Sequence, residues 1–468
     1  MAANIKKELA GIDLGDVRRN KRVLALIASM AQAPSESLRA SCGGWNEAIS
    51  GFRLLKSPEV TAEKIFTPHE RATLERAKHS SHLLLIDDTT ELDYTSHKAL
   101  EGAGRLDHQK RSGFYAHNHL LVDEDSGVAL GLCGSYIWTR ELETKGGQHK
   151  QMPFPEKESY RWFEGYQQAC SIAASLPNAE VIFVADRESD IYEIFTELSK
   201  NENTEKPAAG LIIRAGRDRA LREKGESLFD TVRSAPELGT YQIDFKKKQQ
   251  TRKVKGNRQM VVRDGRKATL QVCASEIVLR PPYRLHGDKL PSVTLRAVGV
   301  FEVNPPEGQE PIEWILLTSL PVASFEQAMR IVHAYAKRWL IEEFHRILKS
   351  GCCVEQIQLR ESSALLSAVA LYMIVAWRIL YLRDLSRIAP QEPCTPFFSE
   401  AEWRAALIIS KHPTAHSPPC LGDIIRMIGK FGGHMGRKKD LPPGPECLWR
   451  GMEKLRHYVE MGQALGVL

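Results

Sequence analysis

The chain opens with residues 1–77 patterned as short helices separated by turn signals. Asp16 is placed to cap a first helix that carries Arg18, Arg19, Lys21 and Arg22, then Leu24, Leu26, Ile27 and Met30. Ala-Pro-Ser-Glu-Ser at 33–37 breaks it. Trp45, Ala48, Ile49 and Phe52 recur at i, i+3, i+4 and i+7, which predicts a second amphipathic helix buried along that stripe. Ser57-Pro58 and Thr67-Pro68-His-Glu70 each set a cap residue before a proline suited to a first helical turn, the second in the form of a capping box.

The period then changes. His82-Leu-Leu-Leu-Ile-Asp87-Asp88-Thr-Thr reads as a buried strand with carboxylates at its exit. Residues 114–136 predict a hairpin turning at Asp123-Glu-Asp-Ser-Gly127, followed by a helix over about 157–175. Val181-Ile-Phe-Val-Ala-Asp186-Arg187-Glu188 repeats the earlier pattern of an apolar strand closed by Asp. Asp at a strand end is also a common turn former. Between 205 and 312, runs such as Leu211–Arg214, Tyr241–Phe245, Ala268–Ala274 and Val293–Val303 predict an inserted antiparallel sheet of about 100 residues. Its tract from Lys246 to Lys267 carries Lys246, Lys247, Lys248, Arg252, Lys253, Lys255, Arg258, Arg263, Arg266 and Lys267 against the single acid Asp264, a composition suited to phosphate contact or to a solvated loop.

Trp314-Ile-Leu-Leu-Thr-Ser returns to a core strand and leads into Tyr335-Ala-Lys-Arg338-Trp-Leu-Ile-Glu342-Glu-Phe-His-Arg-Ile-Leu-Lys349. No Pro or Gly interrupts this stretch, and Ile331, Trp339, Ile341 and Ile347 supply apolar anchors, so it is predicted helical. At about 100° per residue, Tyr335, Arg338, Glu342 and Lys349 share one stripe. A carboxylate flanked by two cations and a phenol suits a metal ion on a phosphate-rich ligand. An exposed helix laced with pairs such as Arg338 and Glu342 would have the same pattern. A more apolar helix covers 364–382, and Pro390 to Pro393 mark a boundary. The last helix bears Leu448, Met452, Leu455, Tyr458 and Val459 on one stripe, for packing on its own chain or on a partner.

Composition narrows the class. With 468 residues, 43% hydrophobic and 26% charged, the chain has the make-up of an ordinary soluble protein of two to four domains. Net charge is +6, which permits a polyanionic partner. Nine cysteines form no CxxC pair, which argues against a zinc finger or disulfide framework and suits a reducing cytosol. The amino terminus lacks an apolar core of signal-peptide length, and Ala364–Trp377 is short for a membrane span, so a cytoplasmic protein without a membrane partner is expected.

Asp88, Asp186 and Glu342 come from two core strands and one helix, and carboxylate-only ligands select hard divalent cations, Mg²⁺ or Mn²⁺. Two such ions form the arrangement used for phosphodiester transfer. The spacing Tyr-x2-Arg-x3-Glu-x6-Lys at 335–349, together with Leu14-Gly-Asp-Val-Arg18-Arg19, Asp88-Thr-Thr, Asp186-Arg-Glu, Trp314-Ile-Leu-Leu-Thr-Ser and Phe431-Gly-Gly, resembles the bacterial cut-and-paste transposases of the Asp-Asp-Glu class, insertion-sequence-four family. Those of the transposon-five kind are nearest in pattern.

The resemblance implies an α/β fold: a ribonuclease-H-like catalytic domain at 68–385 with a large antiparallel β insertion at about 205–312. An N-terminal helical domain at 1–67 would bind transposon ends, and a C-terminal helical domain at 386–468 would dimerise. It implies that Asp88, Asp186 and Glu342 bind Mg²⁺, with Mn²⁺ as a substitute. Tyr335, Arg338, Lys349, Arg214 and the N-terminal Arg18, Arg19 and Arg22 would contact phosphates, and Trp314 would stack on a flipped base. Double-stranded DNA, as inverted-repeat ends and target, and a second copy of the chain are the implied partners, in a bacterial, nucleoid-associated setting. A catalytically silent DNA-binding inhibitor and a simple ribonuclease-H-like nuclease are the alternatives.

Overall fold

The computed structural model describes residues 2–468 apart from 108–109, 141–151, 202–207, 224, 246–247, 255–256, 264, 283–289, 308, 310, 412–416 and 438–439. The chain divides into two compact units, Met1–Lys157 with Trp339–Leu468, and Glu158–Arg338.

The first unit begins with helices α1 (Ala2–Glu8), α2 (Val17–Gln32), α3 (Leu38–Ser41), α4 (Trp45–Leu55) and α5 (Ala62–Ala77). Asp16 caps α2 as expected, accepting from the Arg18 and Arg19 amides. Helix α4 forms where predicted but turns a different face inward: Ala48, Gly51, Leu54 and Leu55 are buried, while Trp45 is 63% exposed. Small residues there let α4 approach Leu26 of α2, whose methyl lies 3.4 Å from where a Gly51 Cβ would stand. Thr67-Pro68 does not start a helix. Thr61 caps α5 by accepting from the Lys64 amide at 3.2 Å, and Pro68 lies inside the helix. The Thr67 hydroxyl donates back to Glu63 O at 3.0 Å.

Strands β1 (His82–Asp93), β2 (Gly104–Arg105), β3 (Ser112–Asp123) and β4 (Ala129–Trp138) follow. Central β3 pairs antiparallel with β1 on one edge and with β2 and β4 on the other. The β3–β4 hairpin is the predicted one. Strand β1 does not end at its carboxylates; it continues through Asp87 and Asp88 to Asp93, because His119, Asn118 and His117 of β3 stand opposite Asp87, Asp88 and Thr89.

The second unit holds α6 (Tyr160–Ser175), β5 (Glu180–Ala185), α7 (Tyr192–Asn201), β6 (Gly210–Arg214), α8 (Leu228–Arg233), β7 (Glu237–Phe245), β8 (Lys248–Val254), β9 (Asn257–Arg263), β10 (Arg266–Leu279), β11 (Val293–Val303), β12 (Glu313–Thr318) and α9 (Phe325–Ala336). Its sheet runs β5-β6-β12-β11-β10-β7. Leu211–Arg214 belongs to a parallel pair with β5 and so is not part of a purely antiparallel insert. The antiparallel ladders begin with β12 on β6. Within the basic tract, Lys246, Lys247, Lys255 and Asp264 lie outside the described residues, as do the side chains of 248–254 and 257–263. Arg266 is committed to Glu302 of β11.

The chain returns to the first unit with α10 (Trp339–Arg346), a π turn at Ile347–Gly351, α11 (Ser362–Ile388), α12 (Glu400–Ile409), α13 (Leu421–Phe431) and α14 (Pro445–Ala464). The predicted continuous helix over 335–349 is therefore broken at Lys337 and Arg338. Hydrophobic phase explains the break. Ile331, Val332 and Tyr335 are buried before it, Ile341, Phe344 and Leu348 after it. At about 100° per residue a single helix would carry those two sets on nearly opposite faces. Trp339, expected as an anchor, is 60% exposed.

Helix α11 is long and apolar enough to cross a membrane by length and composition, but 89% of its most apolar window is buried inside the protein. Ser367 Oγ donates to Val60 O and Trp377 Nε1 to Ala129 O, so these two polar groups are satisfied by α5's approach and by β4. The stripe on α14 is spent within its own unit: Leu448, Met452 and Leu455 are buried, with Tyr458 edge-on to Phe431 of α13. Of the stripe, only Tyr458 and Val459 keep partial exposure.

Candidate functional site

In the first unit the site begins with strand alternation. Side chains opposite one another in an antiparallel pair share a face, and neighbours along the strand alternate. Asp88 and Asn118 therefore share one face of the β1–β3 ribbon, while Asp87, Thr89, His117 and His119 share the other. Helix α10 covers the Asp88 face: Asn118 Nδ2 lies 3.0 Å from His345 Nε2. Glu342 sits one turn before His345 on the same side of α10. The fold of this unit thus brings Asp88 and Glu342 to one side of the ribbon. Both are half-buried. Of the two adjacent aspartates, Asp88 is the one turned toward α10, whereas Asp87 is fully buried between imidazoles.

Lys349 falls in the π turn, closed by the Cys352 amide donating to Ile347 O at 2.8 Å. Such turns within helices recur at functional sites. Its ammonium lies 3.5 Å from Glu355 Oε1, and that same oxygen accepts from the Asp93 amide at 2.8 Å. Lys349 is thereby held near the far end of β1, five residues beyond Asp88.

In the second unit Asp186 caps a short 3₁₀ turn at the end of β5, accepting from the Glu188 amide at 2.9 Å. Arg214 ends the neighbouring parallel strand β6. Its guanidinium donates to Glu313 O at 3.0 Å, and burial pulls its pKa below the ordinary value, opposed by the Tyr335 phenol beside it. Tyr335 is buried and packs edge-on against Trp314, with ring centres 5.3 Å apart. Burial raises the phenol's pKa, opposed by Arg338 and Arg214. Tyr335, Arg338, Arg214, Trp314 and Asp186 therefore belong to one neighbourhood of this unit.

A cavity of about 440 Å³ opens beside them, lined by Arg187, Arg214, Phe229, Arg233, Glu313 and Trp314. Arg233 is bridged to Glu313 at 2.6 Å, and Trp314 is half-exposed. Three guanidiniums with two aromatic rings suit a nucleic-acid strand, phosphates on the cations and bases on the rings. The floor is fixed by Asp190, which pairs with Arg219 at 2.6 Å and accepts from the Gly216 amide. A Cβ at Gly216 would meet Arg187 O at 2.8 Å, so glycine is required there. Sequence reading gave no role to Arg187, although it lies inside Asp-Arg-Glu, or to Arg233, whose helix α8 sits within the predicted β region.

At the amino end, Arg18, Lys21 and Arg22 are exposed along the first turns of α2 and border a hollow of about 410 Å³ against α4. Arg19 differs: its guanidinium donates to Leu14 O at 2.8 Å and so holds the turn before the helix.

Residues 1–60 match a protein-family model described as transposase DNA-binding. Residues 374–465 match one described as the transposase Tn5 dimerisation domain. The two matches support a Tn5-like transposase that binds DNA and forms homodimers.

Proposed function

We propose that the chain is a cut-and-paste DNA transposase of the Asp-Asp-Glu class, in which Asp88, Asp186 and Glu342 hold Mg²⁺, or Mn²⁺ in its place. The observation that carries this reading is the convergence of Asp88 and Glu342 on one side of the β1–β3 ribbon through the Asn118–His345 contact. The donor set fits the ion: carboxylate oxygens suit a hard cation that keeps several waters, and Asp88 is on the less enclosed face. When bound, Mg²⁺ would supply charge stabilisation at the scissile phosphate and at the attacking and leaving oxygens.

The remaining roles fall to the chain's own side chains. Arg338, Arg214 and the Tyr335 hydroxyl would grip phosphates near the scissile bond, and Lys349 would hold a further one. Trp314, packed on Tyr335 and open on its other side, would receive an unstacked base. Arg18 and Arg22, on the segment matched as DNA-binding, would take phosphates of the transposon end. Water attacks the phosphodiester at that end, the P–O3′ bond breaks, and the released oxygen takes a proton to give a 3′-OH. That hydroxyl attacks a phosphodiester of the opposite strand to form a hairpin, releasing the 3′-oxygen of the flanking DNA; water reopens the hairpin, and the 3′-OH finally joins target DNA as a target 3′-oxygen leaves. Each step exchanges one oxygen for another in line at phosphorus, so one set of groups serves all four.

The test uses the full chain with Mg²⁺ and DNA carrying the sequences that flank its gene, including any inverted repeats found there. Asp88→Ala, Asp186→Ala and Glu342→Ala are each expected to lose cleavage while retaining end binding. Cleavage by any one of them at near wild-type rate would sink the assignment. End binding by the wild-type chain without any cleavage would favour the silent-inhibitor reading.

A further inference from the structure

We infer that the face of the β1–β3 ribbon opposite Asp88 is a buried site for a zinc-like divalent cation, with Asp87, His117 and His119 as ligands. The inference stands on this donor set and does not depend on the proposed cleavage chemistry.

The register makes the cluster unavoidable. His119 stands opposite Asp87, and His117, two residues back on β3, stands opposite Thr89. Period-two alternation sends all four side chains to the same face. Asp87 and His117 are fully buried and His119 is 9% exposed. One ligand atom from each of Asp87, His117 and His119 falls within 4.8 Å of the others. His117 Nε2 lies 3.3 Å from Asp87 Oδ2, and His119 Nδ1 lies 2.8 Å from Asp87 Oδ1. Bonds of about 2.0–2.1 Å to a tetrahedral ion place ligand atoms roughly 3.3 Å apart. The first separation already matches, and the second needs to open by about 0.5 Å.

His117 is held as metal ligands usually are, with one nitrogen toward the ion and the other toward an oxygen. His117 Nδ1 lies 2.9 Å from Thr89 Oγ1. His119 and Glu70 of α5 both border Gly134: a methyl group there would stand 3.1 Å from His119 Cδ2, 3.6 Å from Glu70 Oε1 and 4.0 Å from His119 Nε2. Burial raises the Glu70 carboxyl, and the charge of His119 opposes it. A water would complete the fourth position.

The second indication is Asp87 Oδ1. It is fully buried, yet its close contact with His119 lacks the alignment of a hydrogen bond, which leaves this anionic oxygen without a donor. An ion between the three groups would satisfy it. Imidazole donors select Zn²⁺ over Mg²⁺. Bound there, the ion would pin β1 to β3 immediately behind Asp88.

The full-length protein, stripped with a chelator and given one equivalent of Zn²⁺, provides the test. X-ray absorption at the zinc edge of the wild type is expected to show nitrogen and oxygen neighbours with imidazole scattering and no sulfur. Thermal unfolding should shift upward with zinc, and Asp87→Asn and His119→Gln should each lower zinc affinity by at least about tenfold. A sulfur shell, no zinc retained at micromolar concentration, or variants that bind as tightly as wild type would overturn the site. If a variant does not fold, the wild-type absorption spectrum still decides.

Discussion

Two buried clusters of the first unit each set a carboxylate against imidazole and reach opposite states. Glu8 of α1 meets His69 Nδ1 at 2.7 Å and both terminal nitrogens of Arg76 at 2.8 Å, the two helices' side chains closing on one carboxylate. The Leu132 amide donates to His69 Nε2, which fixes the proton on Nδ1, and Arg76 lies over the Trp377 ring while its Nε donates to Leu130 O. Every polar atom has a partner. In the other cluster, Asp87 has two imidazoles and, among the described residues, no guanidinium or ammonium paired with it. A buried carboxylate is affordable when a fixed cation meets it with good geometry. Where the sequence supplies only imidazoles, either their protonation or the proposed ion balances the carboxylate.

The largest effect expected from this contrast is Glu8→Ala. It leaves Arg76 and His69 buried without their anion and should cost about 3–5 kcal/mol in urea unfolding. A loss below about 1 kcal/mol would show that the clamp is not what fastens α1 to α5. Asp87→Asn in the zinc-free protein should cost less, about 1–3 kcal/mol, because its carboxylate is already short of a donor. With zinc present the gap between the two variants should close.

The pH dependence of the first cluster follows from its carboxyl. Burial alone would raise Glu8, but the hydrogen bond from His69, with the charge and hydrogen bonds of Arg76, outweighs it and holds the pKa down to about 2 against an ordinary 4.5. A folded value below the unfolded one gives stability that is present above the unfolded pKa and lost as pH falls toward the folded pKa. The shift corresponds to about 3 kcal/mol, in line with the cost of the alanine variant. Urea midpoints of wild type and Glu8→Gln should differ most near about pH 6 and converge toward about pH 3. A gap that does not change across that range would assign the effect to packing.

Neither cluster was legible in the sequence, and the reason is register. Apolar runs and turn chemistry located β1, β5, the β3–β4 hairpin, α2, α6 and α14, since each depends on local periodicity. They placed Asp88 and Asp186 on equal terms, as acids closing strands. Only strand pairing distinguishes them: β1 runs on past Asp88, whereas Asp186 caps a turn. Only pairing with β3 sends Asp87 and Asp88 to different faces. The break at Lys337–Arg338 was likewise hidden, because no helix-breaking residue marks it and the phase change appears only once buried positions are known on both sides. The α14 stripe was visible as apolar but not as already covered. Of the candidate site, the acids, the Tyr335–Lys349 signature and Trp314 were readable from spacing and resemblance. Arg187 and Arg233 were not, because nothing local shows that two separate arginines will border one cavity.

The smallest effect concerns a third arrangement, acids with neither cation nor full burial. Glu36, between α2 and α3, lies beside Glu453 of α14, and sharing a proton with that carboxylate, together with burial and its negative charge, raises the Glu36 pKa, while Arg456 and His457 oppose the rise. Ser35 Oγ donates to Glu453 Oε2 at 2.7 Å, so one carboxylate already serves two donors when Glu36 keeps its proton. A raised folded pKa gives stability present below the unfolded value and lost as pH rises through the folded one. Glu453→Gln keeps an acceptor for Ser35 and offers Glu36 a neutral donor. It should therefore stabilise the protein slightly at neutral pH and leave it unchanged in acid. Both side chains are half-exposed, so solvent screening limits the gain to under about 0.5 kcal/mol. An effect rivalling that of Glu8→Ala would mean that charge balance alone governs these clusters. The small expected value instead makes burial the term that separates them: the same carboxyl groups become costly only where water cannot reach them.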